Sequence, residues 1–204
     1  MKKFLAIFCS FMVFSAPSQA TGVFIGADAL YSQARFTTKN ISELSGPLNG
    51  SVRQGNKINY GANAGIRFDL LNLLASGEVF YDSLQAEAKN FETAAGEANK
   101  INSVEIKDRY GAKANLGFAI FPRITPFLTY GFAKVKYSGN AGAFSVTDFK
   151  WSPIYGLGLL LDLPLGVSLK AAYDYQQFSI PYSQSGSKTR TNLGVAKLGV
   201  IYNF

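Results

Sequence analysis

The sequence predicts an all-β fold, an eight-stranded antiparallel up-and-down transmembrane β-barrel. Three observations carry that expectation. Eight segments alternate apolar and polar residues with period two, as strands with two different surroundings do. The connections between them alternate short and long, the pattern of a barrel whose two ends face different compartments. Hydrophobic residues make up 48% of the 204-residue chain, yet beyond the N-terminus no apolar run approaches the ~20 residues of a spanning helix.

The N-terminus reads as a secretory signal peptide. Lys2 and Lys3 precede an apolar run from Phe4 to Phe14, and Ser18-Gln19-Ala20 offers small residues for cleavage after Ala20. The organisation expected is therefore a cleaved signal over 1–20 and one barrel domain over 21–204. The single cysteine, Cys9, lies inside the apolar run. A lipid-modified cysteine would sit at the cleavage site, so lipidation is excluded and neither disulfide nor thiolate chemistry is expected of the mature chain.

The first strand is read from Val23 to about Phe36, with Asp28 and Ser32 on its polar face. The second, Ile58 to Asp69, sets Ile58, Tyr60, Ala62, Ala64, Ile66 and Phe68 against Asn59, Gly61, Asn63, Gly65, Arg67 and Asp69. The third runs from about Ala75 to Leu84, with Glu78 and Asp82 on one face. The fourth, Val104 to Phe121, alternates cleanly around Lys113 and Arg109, with Asp108 as an exception on the apolar side. The fifth, Thr125 to Ser138, has no assignable face, because Lys134 and Lys136 share parity with Leu128, Tyr130 and Phe132. The sixth, Lys150 to Asp162, aligns Trp151, Tyr155, Leu157, Leu159 and Leu161. Pro153 donates no ladder hydrogen bond and belongs near the outer end or at a bulge. The seventh sets Val167, Leu169, Ala171, Tyr173 and Tyr175 against Ser168, Lys170, Asp174 and Gln176. The eighth runs from Thr191 to Phe204.

Short connections fall at Leu70 to Leu74, Pro122 to Ile124 and Leu163 to Leu165. Long ones fall at Thr37 to Asn56, Gln85 to Ser103, Gly139 to Phe149 and Ser179 to Arg190. Their Ser, Asn, Gly, Lys and Glu content suits solvated loops. A helix over Glu87 to Lys100 is the competing reading of the second, which we take as loop.

A membrane barrel inverts a soluble one, with the apolar face outward and the polar face in a narrow lumen. The expected lumen charges are Asp28, Arg67, Glu78, Asp82, Lys113, Asp162, Lys170, Asp174 and Lys197. Glycines such as Gly61, Gly65, Gly117 and Gly199 share that face and leave room for them. Both signs are present, so pairing is feasible and needed, since an unpaired buried charge costs several kcal/mol. Two pairs are expected, Arg67 with Glu78 and Asp28 with Lys197. Tyr31, Tyr81, Tyr137 and Tyr202 are placed at the membrane interfaces.

The ending, Lys197 to Phe204, puts Leu198, Val200, Tyr202 and Phe204 on one face. With Lys197, Gly199, Tyr202 and Phe204 at its polar, glycine and aromatic positions, it resembles the C-terminal assembly signal of bacterial outer-membrane barrels. That implies the outer-membrane insertion machinery as a partner. The whole mature chain resembles the eight-stranded outer-membrane β-barrel domain family, the OmpA/OmpX-like and opacity-type surface proteins. Members of that family include structural barrels, small pores and surface proteins that bind host factors. The resemblance implies location in the outer membrane of a Gram-negative bacterium far more firmly than it implies a function.

Enzyme chemistry is not expected. Histidine is absent, which removes the usual general base of barrel hydrolases. Ser76 and Ser168 lack a visible partner, and the carboxylates Glu78 and Asp82 are read as lumen salt-bridge members. No metal or other cofactor is expected, and neither Gly22 to Gly26 nor Gly156-Leu157-Gly158 opens a phosphate-binding helix. The net charge of +7 is scattered, against nucleic acid. Lys39, Arg53, Lys57, Lys188 and Arg190 are read as facing anionic lipopolysaccharide heads. The leading functional expectation is a surface-exposed barrel of the envelope with a role in adhesion to host surface or matrix proteins through its first two loops. The alternatives are a small pore lined by the charged lumen and a soluble lipocalin-type barrel.

Overall fold

A computed structural model of the chain describes residues 21–38, 48–52, 59–91, 101–121, 123–141, 144–181 and 188–204. Nine strands account for nearly all of them: β1 Thr21–Thr38, β2 Leu48–Val52, β3 Asn59–Leu70, β4 Leu73–Phe91, β5 Ile101–Phe118, β6 Ile124–Ala141, β7 Phe144–Asp162, β8 Val167–Pro181 and β9 Lys188–Asn203. All neighbours pair antiparallel in sequence order, and β1 pairs with β9 to close the barrel. The short β2 continues the position of β3. Thr21–Leu30 of β1 pair with β3, and Ala34–Thr38 pair with β2 along the same edge. The barrel is therefore eight strand positions around, as the alternation predicts.

At one end the connections are tight. Leu71 takes a left-handed φ of 56° in the two-residue turn between Leu70 and Leu73. A 3-10 turn over Pro164–Gly166 uses Leu165 at φ 65° and Gly166 at φ 75°. Phe121 and Ile124 form a one-bridge closure. The other end is longer than the sequence suggests. β4 reaches Phe91 and β5 starts at Ile101, so Glu87 to Phe91 are strand; the rest of the segment considered for a helix lies outside the described residues. β6 and β7 pair up to Ala141 and Phe144, and β2 occupies part of the first predicted loop. The reason is physical. Towards the loop end the outward face turns polar, as at Lys134 and Lys136, so the alternation that signals a strand fades while the backbone still pairs.

The same reasoning resolves the fifth predicted strand. Leu128, Tyr130 and Phe132 of β6 point outward, and Lys134 and Lys136 lie on the same outward face nearer the loop end. One face changes surroundings as the strand rises, from apolar to polar. A bulge between Ile106 and Asp108 explains the exception in β5. It turns Ile106 inward, fully buried, and leaves Asp108 outside to accept a hydrogen bond from the Tyr81 hydroxyl at 2.7 Å.

The barrel is inside out. Outward Leu128, Leu157 and Leu198 are 70%, 61% and 69% exposed, while inward Arg109 and Lys197 are 0% and 2% exposed. The interior is layered. Nearest the tight turns, Phe24, Leu74, Phe127, Leu160 and Ile201 pack together. Towards the loop end, Leu30, Ala34, Leu84, Ile106, Val135, Tyr137, Phe178, Leu193 and Val195 form a second apolar layer. The charged residues lie between.

Candidate functional site in the barrel lumen

Between the two apolar layers, four carboxylates and four cations form one connected group: Asp28, Glu78, Asp82 and Asp174 with Arg109, Lys113, Lys170 and Lys197. All eight are buried, and their formal charges cancel. Asp82 is the most heavily engaged. It accepts from Arg109 Nε at 2.9 Å and Nη2 at 2.5 Å, and from Lys197 Nζ at 2.8 Å. Asp174 meets Arg109 at 3.2 Å, Lys113 at 3.3 Å and Lys197 at 3.4 Å. Lys113 bridges to Glu78 at 3.0 Å, and Lys170 joins Asp28 at 3.1 Å to Glu78 at 3.9 Å. The Phe80 ring lies among three of the cations, with Lys197 Nζ 4.8 Å and both Arg109 and Lys113 5.3 Å from its centroid.

The register shows how a narrow lumen holds such large groups. Lys170, Gly199, Asp28, Gly61, Asp82 and Arg109 are successive cross-strand partners around the wall. Glycines separate the first three charges of that row. A Cβ on Gly199 would collide with the Asp28 carboxylate, and one on Gly61 would lie 2.7 Å from Asp82 Oδ1. The same device recurs at Gly156, where a Cβ would sit 2.8 Å from Asp174 Oδ1. Neutral groups complete the shell. Asn63 donates to Asp28 at 2.8 Å, and Asn115 donates to Glu78 at 3.3 Å while accepting from Thr129 at 2.7 Å.

At the tight-turn end a second group stands apart. Arg67 reaches both oxygens of Asp162 at 2.8 Å and Asp69 at 2.8 Å. Ser168 donates to Asp162 at 2.6 Å and accepts from Asn203 at 3.0 Å. These residues line a recess of about 260 Å³. Deeper in, between the lower apolar layer and Glu78, Asn115 and Lys170, the lumen keeps a cavity of about 20 Å³, the room of roughly one water.

All nine sequence-predicted lumen residues face inward, in two groups. Seven join the central network, and Arg67 and Asp162 belong to the mouth. Neither expected pair forms as such. Arg67 bonds Asp162 of β7 across the mouth instead of Glu78, which sits two residues beyond its register partner Ser76 and pairs with Lys113. Asp28 takes Lys170 instead of Lys197, because Gly199 between them opens the way. Arg109, the fully buried centre of the network, stands on the predicted polar face but was not among the expected charges; the parity of Lys113 and Gly111 signals it. Ser76 accepts a hydrogen bond from Asn115.

Tyr31, Tyr81 and Tyr202 are exposed on the outer wall, whereas Tyr137 is buried inside and donates to Asp148 at 3.2 Å. Of the cations read as facing lipid heads, Lys39, Arg53 and Lys57 lie outside the described residues, and the side chain of Lys188 is likewise not described. Arg190 is exposed and donates to Gln177 at 2.6 Å. At the other end of β9, the Phe204 amide donates to Val23 at 2.9 Å, and the Tyr202 and Phe204 rings meet edge-on at 5.0 Å.

A family model described as outer membrane protein beta-barrel domain matches residues 6–204. No curated protein matches the sequence. Among solved structures, the chain is similar to the outer membrane protein AlkL in lipid bilayers, with a TM-score of 0.57, 20% identity and coverage of 95% of this chain and 97% of that one. It is also similar to Ail, the attachment invasion locus protein of Yersinia pestis, with a TM-score of 0.52, 16% identity and coverage of 91% and 100%. Neisserial surface protein A gives a TM-score of 0.52, 13% identity and the same coverage. Likeness at these identities speaks to the fold alone.

Proposed function

This chain belongs to the outer membrane protein β-barrel domain family, and from that premise we propose that it is an integral outer-membrane protein with a closed lumen. It spans the bilayer with its tight turns in the periplasm and presents its long strand ends and loops at the cell surface. There it contributes to the structure of the envelope and to adhesion. The observation that carries the reading is the inverted wall. An exposed belt of Leu, Val, Phe and Tyr surrounds a lumen of buried, mutually compensated charges, an arrangement that is favourable only where the outer surface meets lipid.

Surface labelling tests this orientation. An amine-reactive, membrane-impermeant reagent applied to intact cells is expected to modify the protein on Lys134, Lys136 and Lys150 and to leave Lys113, Lys170 and Lys197 unmodified. Labelling only after the outer membrane is broken would reverse the orientation. Release of the protein by alkaline washing would remove it from the bilayer. The adhesive role is tested by binding of expressing cells to immobilised matrix proteins, with loss expected on deleting 92–100.

Export and assembly follow from the two ends. The mature protein is expected to begin at Thr21, and intact-mass measurement on the purified barrel checks the cleavage after Ala20. Tyr202→Ala with Phe204→Ala is expected to slow appearance of the heat-resistant folded form in cells severalfold, while the same variant refolds in detergent at a near-normal yield. A matching defect in detergent would make the two rings a packing feature and not a recognition signal.

A further inference from the structure

The three tight turns carry large apolar side chains at their tips. Leu71 is 85% exposed, Leu165 is 90% exposed and Phe121 is 62% exposed. Two of these residues also hold a backbone conformation that suits glycine. Leu71 sits at φ 56° and Leu165 at φ 65°, the left-handed region in which a Cβ crowds the following carbonyl. A turn in water commonly places glycine, asparagine or aspartate at such positions. Here leucine takes them and leaves its side chain outside the barrel. The tips are also held in place. The Asn72 carbonyl accepts the Ala119 amide at 2.7 Å, which ties the first turn to the second. The Arg123 carbonyl accepts the Asp162 amide at 2.9 Å, and the Leu163 amide donates to the Val167 carbonyl at 2.8 Å.

The apolar wall above these turns is short. On β4 the outward face is apolar or small from Leu73 to Tyr81 and turns polar at Ser83. On β5 it is apolar from Phe118 to Tyr110 and turns polar at Asp108. Eight residue steps of a tilted strand rise about 20 Å, less than the ~25 Å apolar band of an outer-membrane barrel. Leu70 and Leu71 extend the first stretch downward, and Ile120 and Phe121 extend the second, all four exposed. The turn tips thus continue the lipid-facing belt and supply its missing height. Arg123, exposed in the same turn as Phe121, sets a cation beside that ring, a pairing of apolar tip and charged head that suits a phospholipid interface. We infer that the three turns form a lipid-anchoring foot. Leu71, Phe121 and Leu165 insert among the first acyl carbons of the periplasmic leaflet, and Arg123 meets its phosphates. Burial in lipid offsets both the exposure and the left-handed backbone, which an aqueous turn would leave uncompensated. The inference rests on the membrane reading and orientation proposed above, and a belt reporter separates its failure from theirs.

Trp151 is the sole tryptophan of the chain, so Trp151→Phe gives a silent background. Single reporters are placed in it as Leu71→Trp, Leu165→Trp and, on the exposed apolar belt, Leu128→Trp. Each protein is reconstituted in phosphatidylcholine bilayers and quenched from two sides, by phospholipid brominated near the top of the acyl chain and by aqueous acrylamide. Both turn reporters are expected to be quenched by the brominated lipid and to be at least fivefold less sensitive to acrylamide than the same proteins unfolded in urea. Arg123→Glu should raise the acrylamide sensitivity of a Phe121→Trp reporter at least twofold. Leu71→Asn with Leu165→Asn eases the left-handed backbone, yet should slow insertion of the refolding protein into bilayers at least threefold. Acrylamide reaching both turn reporters while Leu128→Trp stays quenched by lipid would overturn the inference and leave the tips to a periplasmic partner protein. Acrylamide reaching all three would overturn the membrane reading with it. Faster insertion of the asparagine pair would also overturn the inference.

Discussion

Asp82→Ala is expected to destabilise the folded barrel by about 3–5 kcal/mol, the range for breaking a buried ion pair from one side. The carboxylate it removes is fully buried and holds Arg109 through two nitrogens and Lys197 through one. Both cations are buried. The remaining neighbour of both, Asp174, already faces Lys113 as well, so Arg109 and Lys197 would be left with one carboxylate that a third cation also contacts. Urea unfolding of the barrel in lipid, compared with wild type, measures the loss. Asp82→Ala combined with Lys197→Ala should cost less than the sum of the two single changes, because the second removes a charge the first had orphaned. A loss below about 1 kcal/mol, the scale of a solvated pair, would mean that water fills the lumen.

The glycines predict a second large effect with a sharp internal contrast. Gly131 of β6 faces the lumen, and a Cβ there would lie 2.5 Å from Lys113 Cβ and 2.6 Å from Lys113 Cα, and would also strike the Ala112 carbonyl. Those are backbone and near-backbone atoms that cannot swing aside. Gly131→Val is expected to cost about 1–3 kcal/mol or more as overpacking and to push Lys113 away from Glu78. Gly77 of β4 is on the opposite face of the wall, and a Cβ there meets no atom within 4 Å. Gly77→Ala is expected to be neutral or stabilising by about 0.4–1 kcal/mol, through the lower entropy of the unfolded chain. Equal losses at the two positions would contradict the inward and outward assignment of the strands.

Much of this was legible in the alternation. Inside the apolar belt each strand has one neighbour of each kind, lipid or lumen, so parity alone places Asp28, Glu78, Lys113, Lys170 and Asp174 inward. What parity cannot give is the partner. Lys197 of β9 reaches Asp82 of β4 across the bore, and Arg67 of β3 reaches Asp162 of β7. Those meetings depend on strand stagger around a closed barrel, and no local pattern encodes stagger. Reading Arg67 against Glu78 treated two charges flanking one turn as neighbours, although the register sets Glu78 opposite Gly65 and Lys113. The strand ends were hidden for a different reason. At Lys134 and Lys136 the outward face becomes polar, alternation loses its contrast, and the paired backbone carries on.

The measurement that tests the closed lumen most directly is single-channel conductance of the refolded mature barrel in a planar bilayer, with folding verified by heat resistance in the same preparation. Wild type is expected to be silent, because eight buried, mutually compensating charges fill the lumen between two apolar layers. Reproducible steps that grow with salt concentration in the wild-type protein would contradict the account and make the charged lumen a path for ions.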